Sequence, residues 1–300
     1  MSLLPTLYSG QVNVNSRNCH TVSIWSAILA ASRHDWASNS QLARNLPAGE
    51  LVIDKGGHWQ TSWEPGPDES LLLDSLLPLA AVPGPLVIAQ LGQSLDGRIA
   101  TVSGDSHYIN GPEARTHLHR LRALVDTVII GVGTAIADRP RLTVRHVTGA
   151  NPVRVVIDPS GRMPATGPLT EPGFGQTTVI HLVRPGLKLP QPPPHLCRIE
   201  MPTVNGSFCP DRIIELLHRQ GLRRVLVEGG GTTISRFYEA DALDRLHLLL
   251  APLLIGSGRP GLELAPIEQL SQARRPAMRW FPLGPELLLD LDLRCMVADH

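Results

Sequence analysis

The sequence predicts an α/β protein built on a largely parallel sheet. Three observations lead there. Short β-branched runs recur from residue 85 to the C-terminus, segments of helical periodicity separate them, and two of the runs lead into glycines that open a helix. Strands alternating with helices pair in parallel and are covered on both faces. The chain of 300 residues, 42% hydrophobic and 18% charged, is long enough to bury a core. A mean hydropathy of +0.01 excludes a charged disordered chain. Basic and acidic residues balance at 27 each, so no net field gathers nucleic acid or anionic lipid. Any anion must be held by a few local arginines.

The elements follow in order. A boundary falls at Val82-Pro83-Gly84-Pro85, where the helical stretch Leu71–Ala81 stops, giving one piece over residues 1–82 and another over 83–300. The first piece holds four of the five tryptophans (Trp25, Trp36, Trp59, Trp63). It reads as a short helix near Val22–Arg33 and a hairpin of Leu51–Asp54, a Lys55-Gly56-Gly57 turn and His58–Trp63. This is a small α+β extension whose tryptophans are expected to pack together rather than hold a ligand.

In the second piece, strands are expected at Leu86–Gln90, Thr127–Ile130, Val153–Ile157, Thr177–Leu182, Arg224–Val227, Leu246–Leu250 and Leu287–Leu293. One helix opens at Gly111-Pro112-Glu113, with proline in the first turn and Leu118, Leu121 and Val125 on one face. A second runs from Pro210-Asp211 through Ile213, Leu216 and Leu217 to Gly221, and a third covers Thr232–Ala240. The C-terminal strand alternates leucine with Asp290, Asp292 and Arg294 and reads as antiparallel with one wet face. Pro190–Pro194 and Gly173–Gly175 are loops. Four dispersed cysteines (Cys19, Cys197, Cys209, Cys295) form neither a disulfide framework nor a zinc knuckle. Met1–Ser9 lacks the regions of a signal peptide, and the longest apolar run, Leu246–Ile255, is too short for a bilayer, so the expected compartment is the cytoplasm.

Chemistry is expected where strands meet glycines. Arg224–Val227 runs into Glu228-Gly229-Gly230-Gly231-Thr232-Thr233-Ile234 and then a helix, which presents bare N–H groups and a helix N-terminus to a phosphate. Ile129-Ile130-Gly131-Val132-Gly133-Thr134 repeats the logic. Two such turns at strand C-termini of one sheet point to a dinucleotide along that rim. A tight strand-to-helix turn is the alternative use of the same glycines. Arg122, Arg145 and Arg162 are the candidate anion grips, since guanidinium forks suit phosphate. Glu228 closes an apolar strand beside the glycines, facing either a ligand or the helix N-terminus as a charge complement. His117 and His119 lie two apart on a helix and are expected to be exposed, and Asp290 and Asp292 to lie on a solvated strand face.

Seven segments occur in one series: Ser94-Leu95-Asp96-Gly97-Arg98, Ser103-Gly104-Asp105-Ser106, Leu121-Arg122-Ala123, Gly131-Val132-Gly133-Thr134, Ala137-Asp138-Arg139-Pro140, Leu142-Thr143-Val144-Arg145 and Val227-Glu228-Gly229-Gly230-Gly231. Over residues 85–297 the series resembles the pyrimidine reductase of riboflavin biosynthesis, the C-terminal half of the bifunctional deaminase-reductase. The resemblance implies a dihydrofolate-reductase-like fold with a mostly parallel central sheet, helices on both faces and an antiparallel C-terminal strand. It also implies NADPH as hydride donor and a homodimer. Substrate contacts would fall on Ser106, Arg122, Leu142, Arg145 and Glu228, with phosphate at the arginines and Glu228 at the ring end as an orienting, proton-handling group. Coenzyme contacts would fall on Gly92, Tyr108, Thr134, Asp138, Pro159 and the run Gly230, Gly231, Thr232, Thr233, Ile234, Ser235, Arg236, with Ser160 and Arg162 beside a 2′-phosphate. No metal is implied.

The implied reaction reduces the ribose of 5-amino-6-(5-phosphoribosylamino)uracil to a ribityl chain. The sequence departs from the family in three places. It has neither the His-x-Glu nor the Pro-Cys-x-x-Cys deaminase signature, which assigns deamination to a separate chain. Gln90 stands where many members carry lysine beside the pyrimidine, and Asp138-Arg139-Pro140 stands for Asp-Asp-Pro. Gln90 leaves open a reductase of another heterocycle, a pterin or secondary-metabolite precursor. A nucleotide-binding module without catalysis is the third reading.

Overall fold

The structure, a computed structural model, describes residues 14–106, 109–171 and 178–296. It divides into two compact units between Pro83 and Gly84. The first unit runs α1 (Val14–Ser32), β1 (Gln41–Leu46), β2 (Gly49–Asp54), β3 (Trp59–Thr61) and α2 (Pro67–Ala80). Its three strands form an antiparallel sheet in the order β1-β2-β3. Pro67 starts α2, where a missing N–H costs nothing, and the Gly66 N–H donates to Glu69 Oε2 at 3.0 Å. The indoles are used inside the unit. Trp36 donates to the Ala31 carbonyl at 2.7 Å, Trp59 to Asp74 at 2.8 Å and Trp63 to Glu69 at 3.2 Å. Trp25 and Trp36 are buried.

The second unit contains β4 (Leu86–Ser94), β5 (Arg98–Ala100), α3 (Pro112–Leu124), β6 (Thr127–Gly131), α4 (Val132–Ala137), β7 (Val153–Ile157), β8 (Val179–Val183) and β9 (Leu196–Glu200). It continues with α5 (Pro210–Arg219), β10 (Arg224–Val227), α6 (Gly231–Glu239), β11 (Arg245–Ala251), β12 (Arg259–Pro260), β13 (Pro276–Leu283) and β14 (Glu286–Met296). Nine strands form one sheet in the order β13-β14-β11-β4-β10-β6-β7-β8-β9. From β11 to β9 every neighbour is parallel; β14 and β13 add an antiparallel pair at one edge. This is the expected mostly parallel sheet with an antiparallel C-terminal strand.

Alternation along the strands divides the interior. Val87, Ala89, Leu91, Ile129, Val155, Ile180, Val225, Val227 and Leu246 point to one face, where Ile213 and Leu217 of α5 and Ile234 and Phe237 of α6 cover them. Truncating one such leucine, Leu217, to alanine costs about 2–5 kcal/mol. The other face carries α3 and is more polar. Here two expectations are corrected.

His117 and His119 are not exposed; both are buried. His117 Nε2 lies 2.9 Å from His247 Nδ1, and burial, with His247 and Arg120 nearby, pushes His117 well below the ordinary histidine value. Asp290 is not solvated. It is buried, and Arg245 and Arg279 donate to its Oδ2 at 2.6 and 2.7 Å, while Arg245 also reaches Asp292 at 2.7 Å. Burial alone would raise the Asp290 carboxyl, but His247, Arg245 and Arg279 more than offset it and hold it far below the usual range. The face is covered rather than wet: His117 of α3 sits on His247, which lies 3.3 Å from Asp290, and Arg279 of β13, opposite Asp290 in register, closes over the carboxylate. Leu118, expected on the apolar stripe of α3, is half-buried beside the buried Ala114, Leu121 and Leu124. The Gly173–Gly175 loop and Thr177 lie outside the described residues.

Candidate active site

The two glycine turns lie side by side because β6 and β10 are neighbours, with Val227 opposite Ile129. They interlock. The Gly230 N–H donates to Thr134 Oγ1 at 3.1 Å. Gly229 has φ +101°, which a side chain resists, and a Cβ on it would sit 2.7 Å from Thr134 Oγ1. A Cβ on Gly131 would sit 2.5 Å from Thr233 Oγ1, and one on Gly231 would strike the Gly261 carbonyl. The chain just past β12 therefore crosses the start of α6. The first N–H groups of α6 have no carbonyl one turn earlier to bond, which leaves them to an anion. Of the predicted run, Thr232 and Arg236 are exposed and Thr233 half-buried. Ile234 and Ser235 face inward, Ile234 into the core and Ser235 Oγ to the Glu263 N–H at 2.8 Å.

One turn away on the α3 side, Arg122 and Glu228 are in direct contact. Arg122 Nε donates to Oε1 and its Nη2 to Oε2, both at 2.7 Å, and Nη1 reaches the Thr143 carbonyl at 3.2 Å. Both side chains are buried. The expectation put these two at opposite ends of a substrate; the structure makes them one bidentate unit. Thr143 follows Leu142, a buried leucine at φ +56°, an unusual backbone state for a branched side chain. The Val144 N–H bonds Asn151 Oδ1 at 2.7 Å and the Arg145 N–H bonds His119 Nδ1 at 3.0 Å.

These bonds fix the loop that presents Arg145, whose side chain is exposed. Partial burial, then the charges of Arg122 and Arg141, lower the Arg145 guanidinium below its ordinary value. Three cations thus share one corner. His119 stacks on His146 with ring centroids 4.4 Å apart and is pushed down to about 3, first by burial and then by Arg122, His146 and Arg145.

The remaining predicted residues lie along the same rim. Gly92 is on β4, between β10 and β11; Gln90, two residues earlier, is buried opposite His247. Asp138 ends α4 and is exposed. Pro159 follows β7 in a loop held by Asp158, whose Oδ2 accepts from Met163 N–H at 2.8 Å and lies 2.9 Å from His181 Nε2. Burial would raise Asp158, but His181 and the loop N–H groups pull it below the carboxylate norm. Ser160 and Arg162 are left exposed. Ser106 is half-buried and, among the described residues, makes no hydrogen bond to Arg122 or Arg145; Tyr108 lies outside them. Arg141 joins the site from a position that sequence reasoning missed, although it had a signal, a cation inside the loop between two quoted motifs.

A mostly parallel sheet whose rim gathers two glycine-opened helices and an arginine corner defines an α/β protein built to hold anionic ligands at its strand ends. Residues 85–289 match the RibD C-terminal domain family. The chain belongs to that family and is a pyrimidine reductase of riboflavin biosynthesis. It is 32% identical over 227 residues to the 2,5-diamino-6-ribosylamino-4(3H)-pyrimidinone 5′-phosphate reductase of Methanothermobacter thermautotrophicus, covering 70% of this chain and 99% of that protein. It is 30% identical to riboflavin biosynthesis protein RibD of Escherichia coli, over 69% of this chain and 59% of that one, so it spans little more than half of that relative. A solved structure of Acinetobacter baumannii RibD superimposes with a TM-score of 0.60 at 27% identity, over 77% of this chain and 63% of that one.

Proposed function

We propose that the chain uses NADPH to reduce the ribose of 5-amino-6-(5-phosphoribosylamino)uracil, and that residues 83–300 carry the reaction. The arginine corner supports this reading most. Arg122, Arg141 and Arg145 converge beside the glycine turns, a place suited to a phosphate monoester. The coenzyme fits the opposite side of the rim. The start of α6 offers N–H donors at Gly231 and Thr232 for a diphosphate, with Thr134 and Thr233 walling the cleft and Gly92 on the next strand. Ser160 and Arg162 stand exposed for a 2′-phosphate. When bound, NADPH supplies the hydride that reaches C1′ of the sugar.

The protein's own part is placement. Arg145 and the free edge of Arg122 hold the phosphate, and the Leu142 and Thr143 backbone, fixed by Arg122 and Asn151, lines the sugar. Glu228, gripped by Arg122, orients the ring side. The direct Arg122–Glu228 pair makes phosphate and ring subsites share one buried unit rather than two ends of the cleft. NADPH consumption with the phosphoribosylaminouracil tests the reading: turnover is expected, and absence of turnover above background overturns it.

A second pyrimidine is favoured by one observation. The archaeal relative that this chain covers almost end to end is named for the 2,5-diamino compound, and Gln90, unlike lysine, offers an acceptor for an extra amino group as well as a donor. Competition between the two pyrimidines for limiting enzyme separates them by kcat/KM. We further infer a cytoplasmic homodimer, with deamination performed by another chain. Among the described residues no helix is long and apolar enough to cross a membrane.

A further inference from the structure

Glu286 is a buried carboxylate that the proposed reaction leaves unused. It opens β14 and is only 4% exposed. Its Oε1 accepts from Asn110 Nδ2 at 2.8 Å, while its Oε2 has no hydrogen-bond partner among the described residues. A buried oxygen left without a partner is costly, so its retention asks for a reason. Part of the reason is electrostatic. A Cβ built on Gly111, the N-cap of α3, would lie 3.4 Å from Oε2, and a helix N-terminus favours a negative charge.

The rest of the reason is Asn110. A carboxylate accepts and cannot donate, so Asn110 must turn its NH2 toward Glu286 and its carbonyl oxygen away. That oxygen rests on Gly92: a Cβ there would overlap Asn110 Oδ1 and come within 2.8 Å of its Cγ. Gly92 has no positive φ, so the backbone does not require glycine at this position. The asparagine carboxamide does. A single acceptor of fixed direction therefore stands at the rim of β4. Through Glu286 the asparagine is tied to β14, two strands from β4 on the side away from β10.

We propose that Asn110, oriented by Glu286, is a coenzyme-binding residue whose side-chain carbonyl accepts a hydrogen bond from the nicotinamide carboxamide. The proposal rests on reading Gly92 as a coenzyme contact. With the diphosphate on the β10 side at α6, the other flank of β4 receives the ring end of the dinucleotide, and the donor at that end is a primary amide. Asn110 is the contact; Glu286 is a positioning residue that acts through it.

The test compares dissociation constants, by titration calorimetry, for NADP+ and its 3-acetylpyridine analogue, which lacks the amide N–H. Wild type is expected to prefer NADP+ by about tenfold. Asn110→Ala should bring the ratio to within about twofold. Glu286→Gln, whose amide can itself donate and so lets Asn110 turn around, should lower the ratio as well. A merely structural Glu286 would lower Tm and leave the ratio where it was. An unchanged ratio in both variants overturns the proposal, and so does a wild type that does not distinguish the two dinucleotides, even if neither variant folds. Failure of wild type to bind either dinucleotide would instead remove the NADPH reading, and this inference with it.

Discussion

Arg122 sits at the centre of the site, and its environment changes what a substitution there would report. A surface arginine lost from a phosphate site costs binding alone. Arg122 is buried against Glu228 at 2.7 Å, and removing it strands a buried carboxylate. Breaking such a pair costs about 3–5 kcal/mol. Arg122→Ala is therefore expected to lower Tm by several degrees as well as to abolish substrate binding. Arg145→Ala removes an exposed guanidinium, so it should leave Tm within a degree or so and weaken substrate binding by about 10- to 100-fold. Differential scanning calorimetry beside substrate titration separates the two; equal loss of stability in both variants contradicts the geometry. The residue types were legible in the sequence because phosphate chemistry calls for arginines. The Arg122–Glu228 contact was not, since 106 residues separate the partners and no local pattern reports a pairing at that distance.

At the scale of elements, the legible strands were those with two covered faces. Val153–Ile157 and Arg224–Val227 are predicted to the residue, because burial on both sides favours short runs dominated by valine, isoleucine and leucine. The strands that went unseen, β1, β5, β9, β12 and β13, all lie at sheet edges. Gln41–Leu46, Leu196–Glu200 and Pro276–Leu283 carry charges, and β13 carries prolines, as edges do. Missing β13, and with it Arg279, is part of what misplaced Asp290. Its network ties β11, β13 and β14 together through Arg245 and Arg279. Asp290→Asn takes the anion from Arg279 and leaves Arg245 with Asp292 alone, and is expected to cost about 3–5 kcal/mol, read as a shift in the urea midpoint at constant m-value. The glycine turns were legible, but the crossing of α6 by the chain past β12 was not. Gly231→Ala should push that crossing off the helix start, because the obstacle is the Gly261 backbone and cannot rotate aside. Weakened NADP+ binding together with a lower Tm is the expected result, measured by calorimetry; an unchanged affinity would place the diphosphate elsewhere.

For the whole molecule, the buried histidines set the response to acid. His119 is held at about 3 against an ordinary 6.5, and His117 is also pushed well below 6.5. Between those values the unfolded chain takes up protons that the native state refuses, so stability falls as pH drops from about 6.5 toward 3, on the order of 1 kcal/mol per pH unit per histidine. Asp290 adds a second loss below its ordinary 3.8, because its native carboxyl stays ionised while the unfolded one protonates. Urea midpoints across this range should therefore decline from pH 6.5 downward, and His119→Gln should flatten the upper part of the curve. A wild-type curve level from pH 6.5 to 4 would mean that the histidines are not held neutral.

The homodimer proposed above would form on the C-terminal edge of the sheet. Met278 and Trp280 of β13 are exposed, and register places them opposite Leu291 and Leu289 of β14. With the half-buried Leu287 and Leu248 they make a continuous apolar face on the end of the sheet, on the side that α5 and α6 cover farther along. A contiguous apolar patch on a soluble protein marks an association site, and a second copy of the chain is the partner that the homodimer reading supplies. Exposed charge should defeat such a patch without unfolding the sheet, because Trp280 contributes surface rather than core. Sedimentation velocity at micromolar protein is expected to show a dimer for wild type and a monomer for Trp280→Glu with near-native circular dichroism. If wild type sediments as a monomer, the homodimer reading fails; if Trp280→Glu remains a dimer, the interface lies on another surface.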